Sequence, residues 1–124
     1  MKPDIYKPDI QSEYYFEEGC HILEILNSDA DPSVSVARAR VAPGKTTHWH
    51  KLRDTTERYL IITGEGKVEI EGLEPTQVSP GDLVLIPPGT AQRITCTSPN
   101  ELVFYAICSP RFTKDCYTDL ESGK

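Results

Sequence analysis

From about residue 20 to residue 109 the chain alternates apolar and polar side chains in short pieces, and proline or glycine closes each piece before a helix of ordinary length could form. The punctuation is dense: Pro32, Pro43-Gly44, Gly64-Glu65-Gly66, Gly72, Pro75, Pro80-Gly81, Pro87-Pro88-Gly89, Pro99 and Pro110. The intervening segments, 20–27, 33–42, 46–51, 57–63, 67–71, 83–86, 91–97 and 102–109, are rich in Val, Ile, Thr and Tyr and read as strands. Short strands with a turn signal about every ten residues predict an antiparallel all-β sandwich or barrel. No helical pieces are present from which βαβ units could be built.

Composition narrows this picture. At 124 residues the chain has the size of one domain, and 38% hydrophobic residues support a modest core. Its 13 Lys+Arg against 19 Asp+Glu leave a net charge of -6 without a basic cluster, so nucleic acid is not an expected partner. The longest apolar run, 102–108, is far too short for a membrane span, and the opening MKPDIYKPDI has no apolar stretch of the signal-peptide kind. The expectation is a soluble, cytoplasmic protein without a membrane partner. Cys20, Cys96, Cys108 and Cys116 form no CxxC pair and are expected to be reduced and mostly buried.

The termini read differently from the middle. Lys2-Pro3-Asp4-Ile5 is echoed by Lys7-Pro8-Asp9-Ile10, and each proline pushes its predecessor toward extended geometry. Residues 1–18 are therefore expected to form an extended arm, either crossing onto a partner subunit or docking loosely. In the tail, 110–124, Thr113 is placed to cap a short helical turn running to Asp119, with Phe112 and Tyr117 packing it onto the body.

The chemistry candidates begin with histidine, which occurs only at 21, 48 and 50. In a strand, His48 and His50 would share one face at about 6 to 7 Å between backbones, close enough to hold one ion, while Trp49 points the other way. Glu57 on the next strand would add a carboxylate and approach the two-His-one-carboxylate arrangement. The competing reading is a pair of histidines on an exposed strand face. Tyr59 and Ile61 share the face of Glu57, and Ile94 that of Gln92, an apolar lining with a few polar tips. Core packing is the simpler role for Ile61 and Ile94. Arg38 and Arg40 alternate with small apolar residues and are expected to face solvent. Lys51, Arg53 and Arg111 are candidates for attracting an anion at a rim, and His21 reads as an ordinary strand residue.

Two segments resemble the paired motifs of the cupin superfamily, of the small single-domain, conserved-barrel type. Gly81-DLVLI-Pro87-Pro88-Gly89-TA-Gln92-RIT-Cys96 keeps every glycine and proline of the second motif but has Gln for its histidine and Cys for its asparagine. The first motif fits in two registers. Without gaps, Gly44-KTTHW-His50-K-Leu52-RDTT-Glu57-RYLIIT-Gly64 makes His50 the first ligand and puts Leu52 where the second histidine belongs. With compensating gaps, His48 and His50 are the pair. Both registers keep 48, 50 and 52 on one face, so strand period does not separate them. Asp54 is a substitute for Glu57 only if an insertion is allowed, and Glu57 keeps the spacing to Gly64.

The resemblance implies a double-stranded β-helix, a jelly-roll barrel over 19–109 flanked by the arm and the tail, and because such a barrel leaves strand edges and one sheet face to cover, pairing as a homodimer is expected. It also implies a divalent metal site of His48, His50, Glu57 and Gln92, suited to Fe, Mn, Ni or Zn, though an amide oxygen at 92 is a weak donor. On that reading the protein is an enzyme acting on a small oxygenated metabolite in the manner of a dioxygenase, isomerase or epimerase. Glu57 would then serve as a ligand and Tyr59 as a possible proton donor. The alternative is a non-catalytic module that holds a small molecule in a degenerate site.

Overall fold

The computed structural model describes residues 1–121, and eleven strands run through them. In chain order they are β1 Tyr14–Phe16, β2 Cys20–Leu26, β3 Ser35–Val41, β4 His50–Leu52, β5 Thr56–Thr63, β6 Gly66–Ile70, β7 Thr76–Val78, β8 Leu83–Ile86, β9 Gln92–Cys96, β10 Leu102–Ser109 and β11 Tyr117–Asp119. They form two antiparallel sheets, one ordered β1-β2-β3-β10-β5-β8 and the other β11-β4-β9-β6-β7. This is the jelly-roll barrel. No helix among the described residues is long and apolar enough to cross a membrane.

Alternation decides what lies inside. Along β5, Glu57, Tyr59 and Ile61 are buried while Arg58 and Leu60 are half-exposed, and β9 buries Gln92, Ile94 and Cys96 from the opposite sheet. Val41, Leu102 and Phe104 complete the core between the sheets. All four cysteines are free thiols, and all are buried.

The strand expected over 46–51 is shorter and shifted. Thr46 makes only an isolated bridge to Thr95, and regular strand begins at His50. The cause lies at Thr47: its N–H donates to the Ile94 carbonyl at 2.9 Å while its buried hydroxyl accepts the Ile94 N–H at 3.0 Å, and the register slips by one residue between Thr46–Thr95 and His50–Gln92. Three strands were not expected, β1, β7 and β11, each of three residues. The tail also departs from its reading. Lys114–Cys116 form one 3₁₀ turn, Thr113 precedes it without a side-chain capping bond, and the chain then extends as β11 instead of continuing helical to Asp119. Pairing with β4, Tyr117 opposite Leu52 and Asp119 opposite His50, satisfies an edge that a helix would leave open.

The arm folds back on its own sheet. After a 3₁₀ turn at Ile10–Ser12, the Glu13 carboxylate accepts Arg40 Nε at 2.9 Å and Arg38 Nη2 at 3.2 Å. Arg38 and Arg40 do point away from the barrel interior, but this clamp leaves their side chains only 27% exposed.

Candidate functional site

The polar centre of the barrel is built by three strands. β4 and β9 pair at His50 and Gln92, and β5 carries Glu57 from the opposite sheet. Gln92, fully buried, donates Nε2–H to Glu57 Oε1 at 2.6 Å. The Cys108 thiol on β10 points at the other carboxylate oxygen at 3.8 Å. Burial holds the Glu57 carboxyl up at about 7, against the opposing influence of His50 and of the hydrogen bonds from Gln92 and Cys108, while Glu18 pushes it further up.

His50 is oriented by its own backbone neighbourhood. Its Nδ1–H donates to the His48 carbonyl at 2.6 Å, so Nε2 faces inward, 3.8 Å from Glu18 Oε2. Tyr117 of β11 stacks on the ring at 5.3 Å. Glu18 has no place in either motif, and sequence reasoning left it in the arm. It arrives because the turn between β1 and β2 closes tightly, with Gly19 at φ +103° donating to the Phe16 carbonyl at 2.9 Å. The Glu18 carbonyl then accepts the His48 N–H at 2.7 Å, which pins the turn against the start of β4. The charge run Glu17-Glu18 before Gly19 was the only available signal.

Glu18 and Glu57 both line a cavity on the inner face of the six-stranded sheet, with an empty volume of about 420 Å3 counting its open mouth. Tyr14, Phe16, Ile22, Glu24 and Phe112 supply much of the remaining wall.

The expected site residues therefore separate. His50, Glu57 and Gln92 come together. His48 does not join them: lying before β4, it turns outward to Asp119, Nδ1 to Oδ2 3.1 Å, with 42% of its side chain exposed. Leu52 does face inward two residues after His50, but it is packed in a small cluster with Cys108 and Cys116. Tyr59 lies on the inner face of β5 as expected, yet its ring packs on Phe104 at 4.3 Å in the core, burial raises its phenol well above the usual value, and it is not part of the cavity wall. Ile61 and Ile94 are core residues.

A metal centre fits this donor set poorly. Among the described residues no three His, Cys, Asp or Glu side chains are grouped to hold an ion. His48 is turned away, an alkyl side chain stands at 52, and Gln92 spends its NH2 on Glu57 while its buried Oε1 has no hydrogen-bond partner among the described residues. His50 and Glu57 alone fall short of the three protein donors an open transition-metal site normally has.

The chain belongs to the cupin family: the cupin domain pattern matches residues 37–108. Its fold is similar to that of KdgF from Halomonas sp., with a TM-score of 0.74 and 22% identity over 88% of this chain and 96% of that one. It is also similar to Pac13, a nucleoside dehydratase, with a TM-score of 0.75 and 19% identity over 94% of this chain and 92% of that one. Oxalate decarboxylase from Bacillus subtilis aligns with a TM-score of 0.77 and 17% identity over 96% of this chain and 33% of its own length. At such identities these likenesses show the fold alone. No curated protein matches the chain in sequence.

Proposed function

We propose that the protein is a small-molecule cupin that performs proton transfer on a polar ligand held in the cavity, with Glu57 as the acid–base group. One observation carries the reading. Glu57 is a carboxyl 7% exposed in a cavity wall, held in place by Gln92 and poised near neutrality by burial. A carboxyl tuned to the working pH can both give and accept a proton, the requirement for dehydration, isomerisation or epimerisation chemistry. Gln92 positions Glu57, and Glu18, in the same wall and near His50, is placed to take the complementary role. The structural neighbours include enzymes, one of them a dehydratase, which agrees with this class of activity.

Small hydroxy and keto compounds incubated with the protein in D2O test the reading by NMR. Deuterium uptake or loss of water should occur with the native protein and fall by at least about a hundredfold in Glu57→Gln. Binding without turnover for any compound would instead favour a non-catalytic carrier. Elemental analysis of protein purified without added metal is expected to give well under one ion per chain. Stoichiometric metal that disappears in His50→Ala would return the site to a metal-centred mechanism with Fe, Mn, Ni or Zn.

The outer face of the six-stranded sheet suggests how copies associate. Ile62 of β5 and Leu83 and Leu85 of the edge strand β8 are exposed there, an apolar patch suited to a homodimer contact. Gel filtration at micromolar concentration should give a dimer, and Leu85→Glu a monomer; a native monomer would remove the proposal.

A further inference from the structure

The cavity wall combines two kinds of group. Tyr14 and Phe16 meet at 85° with ring centroids 6.4 Å apart, and Phe16 and Phe112 at 87° and 6.2 Å, so Phe16 stands nearly perpendicular to both of the other rings in the wall. Glu18, Glu24 and Glu57 line the same space, and its described wall includes no Lys, Arg or His. His50, behind the wall, is the basic side chain nearest to these carboxylates, 3.8 Å from Glu18. The arginines of β3 lie on the other side of the sheet, committed to Glu13. Among the described residues, Glu24 accepts only the neutral Tyr14 hydroxyl, at 3.1 Å.

From this lining we infer that the ligand is a small organic cation, an ammonium or quaternary ammonium compound, held by the aromatic rings and balanced by the glutamates. Crossed aromatic faces attract a cation through their quadrupoles, and the effect grows when water is excluded. Glu18 and Glu24, with a Glu57 that is ionised only in part near neutrality, make the space hostile to phosphates and carboxylates, whose charge would be desolvated without a counterion. A bare metal ion would use carboxylates but gain nothing from the rings, and no three ligating side chains are grouped for one among the described residues. The inference rests on the cavity being the ligand site, as proposed above, and not on the proton transfer.

Three probes of one shape test it: choline, its neutral carbon isostere 3,3-dimethylbutan-1-ol, and the anion 3,3-dimethylbutyrate, each titrated calorimetrically into the full protein. Choline should bind at least about tenfold more tightly than the alcohol, and the anion should not bind measurably. Phe112→Leu keeps an apolar wall but loses a ring, and should weaken choline several-fold while leaving the alcohol unchanged. Glu24→Gln should weaken choline alone. Equal or tighter binding of the alcohol or the anion overturns the assignment, as does no binding of choline, or uptake of Mg2+ or Zn2+ in its place. Deuterium exchange retained on a neutral compound while choline fails would sink this inference and leave the proton-transfer reading standing. Choline binding with no exchange on any compound would do the reverse.

Discussion

At the scale of single residues the centre is governed by the cost of burying charge. Glu57 has its carboxyl moved from 4.5 to about 7, because burial penalises the ionised form more than His50, Gln92 and Cys108 favour it. A carboxyl whose folded value is raised stabilises the fold fully below its unfolded value and loses that contribution as pH rises through the folded one. The stability of metal-free protein should therefore fall between about pH 4.5 and 7, by up to about 3 kcal/mol from this group. Urea titrations across that range should show the slope in the native protein and its absence in Glu57→Gln. Glu13 works with the opposite sign. Arg40 and Arg38 hold its carboxyl at about 2, so the clamp strengthens the fold above 4.5 and is lost as pH falls toward 2. Glu13→Gln should remove that acid-side dependence without touching the slope near neutrality. Residues also explain the poor metal fit, which can be reversed by design. Leu52→His with Gln92→His adds two imidazoles to the inward faces beside His50 and Glu57, and should raise Zn2+ or Ni2+ affinity at least about tenfold by calorimetry.

At the scale of elements, turns decide where those residues meet. Gly64 joins β5 to β6 at φ +78°, and a Cβ there would lie 2.2 Å from the Glu101 carbonyl oxygen. Neither the backbone angle nor the contact can relax cheaply, so Gly64→Ala should cost at least about 2 kcal/mol in denaturant unfolding. The motif glycines were readable because such positions exclude other residues, which is also why the skeleton of both motifs identified the barrel. The strand at His50 was less readable. At Thr47 the hydroxyl takes the Ile94 N–H and the pairing with β9 slips by one residue, so His48 falls outside β4 and the face it takes is not that of His50. Periodicity holds only where a strand is regular, and nothing in the pattern marks residue 47 as the place where it stops. The tail shows the same limit. A helical turn after Thr113 was legible, but its end at Cys116 and the extension of Tyr117–Asp119 depend on the open edge of β4, which lies far away in the chain.

At the scale of the whole molecule, local and long-range information divide along a physical line. Alternation and glycine and proline placement settle eight of the strands and an antiparallel all-β class, because they act over a few residues, while the jelly-roll came from the likeness of the two motifs to those of the cupins. They also place Glu57, Tyr59 and Ile61 on one inner face. What only the tertiary structure decided is which inner residues share a space. Tyr59 and Glu57 lie two residues apart, yet one packs in the core against Phe104 and the other lines a cavity. Glu18, with no motif around it, reaches His50 across 32 positions of chain because a strand of the arm is stitched onto the sheet. The three rings come from β1 and from the tail, at opposite ends of the sequence. Sequence by itself determined a barrel with a polar, glutamate-bearing interior. The cavity's shape, its acidity and the neutral-range carboxyl arise from desolvation and from packing between distant segments, and those have no local signature.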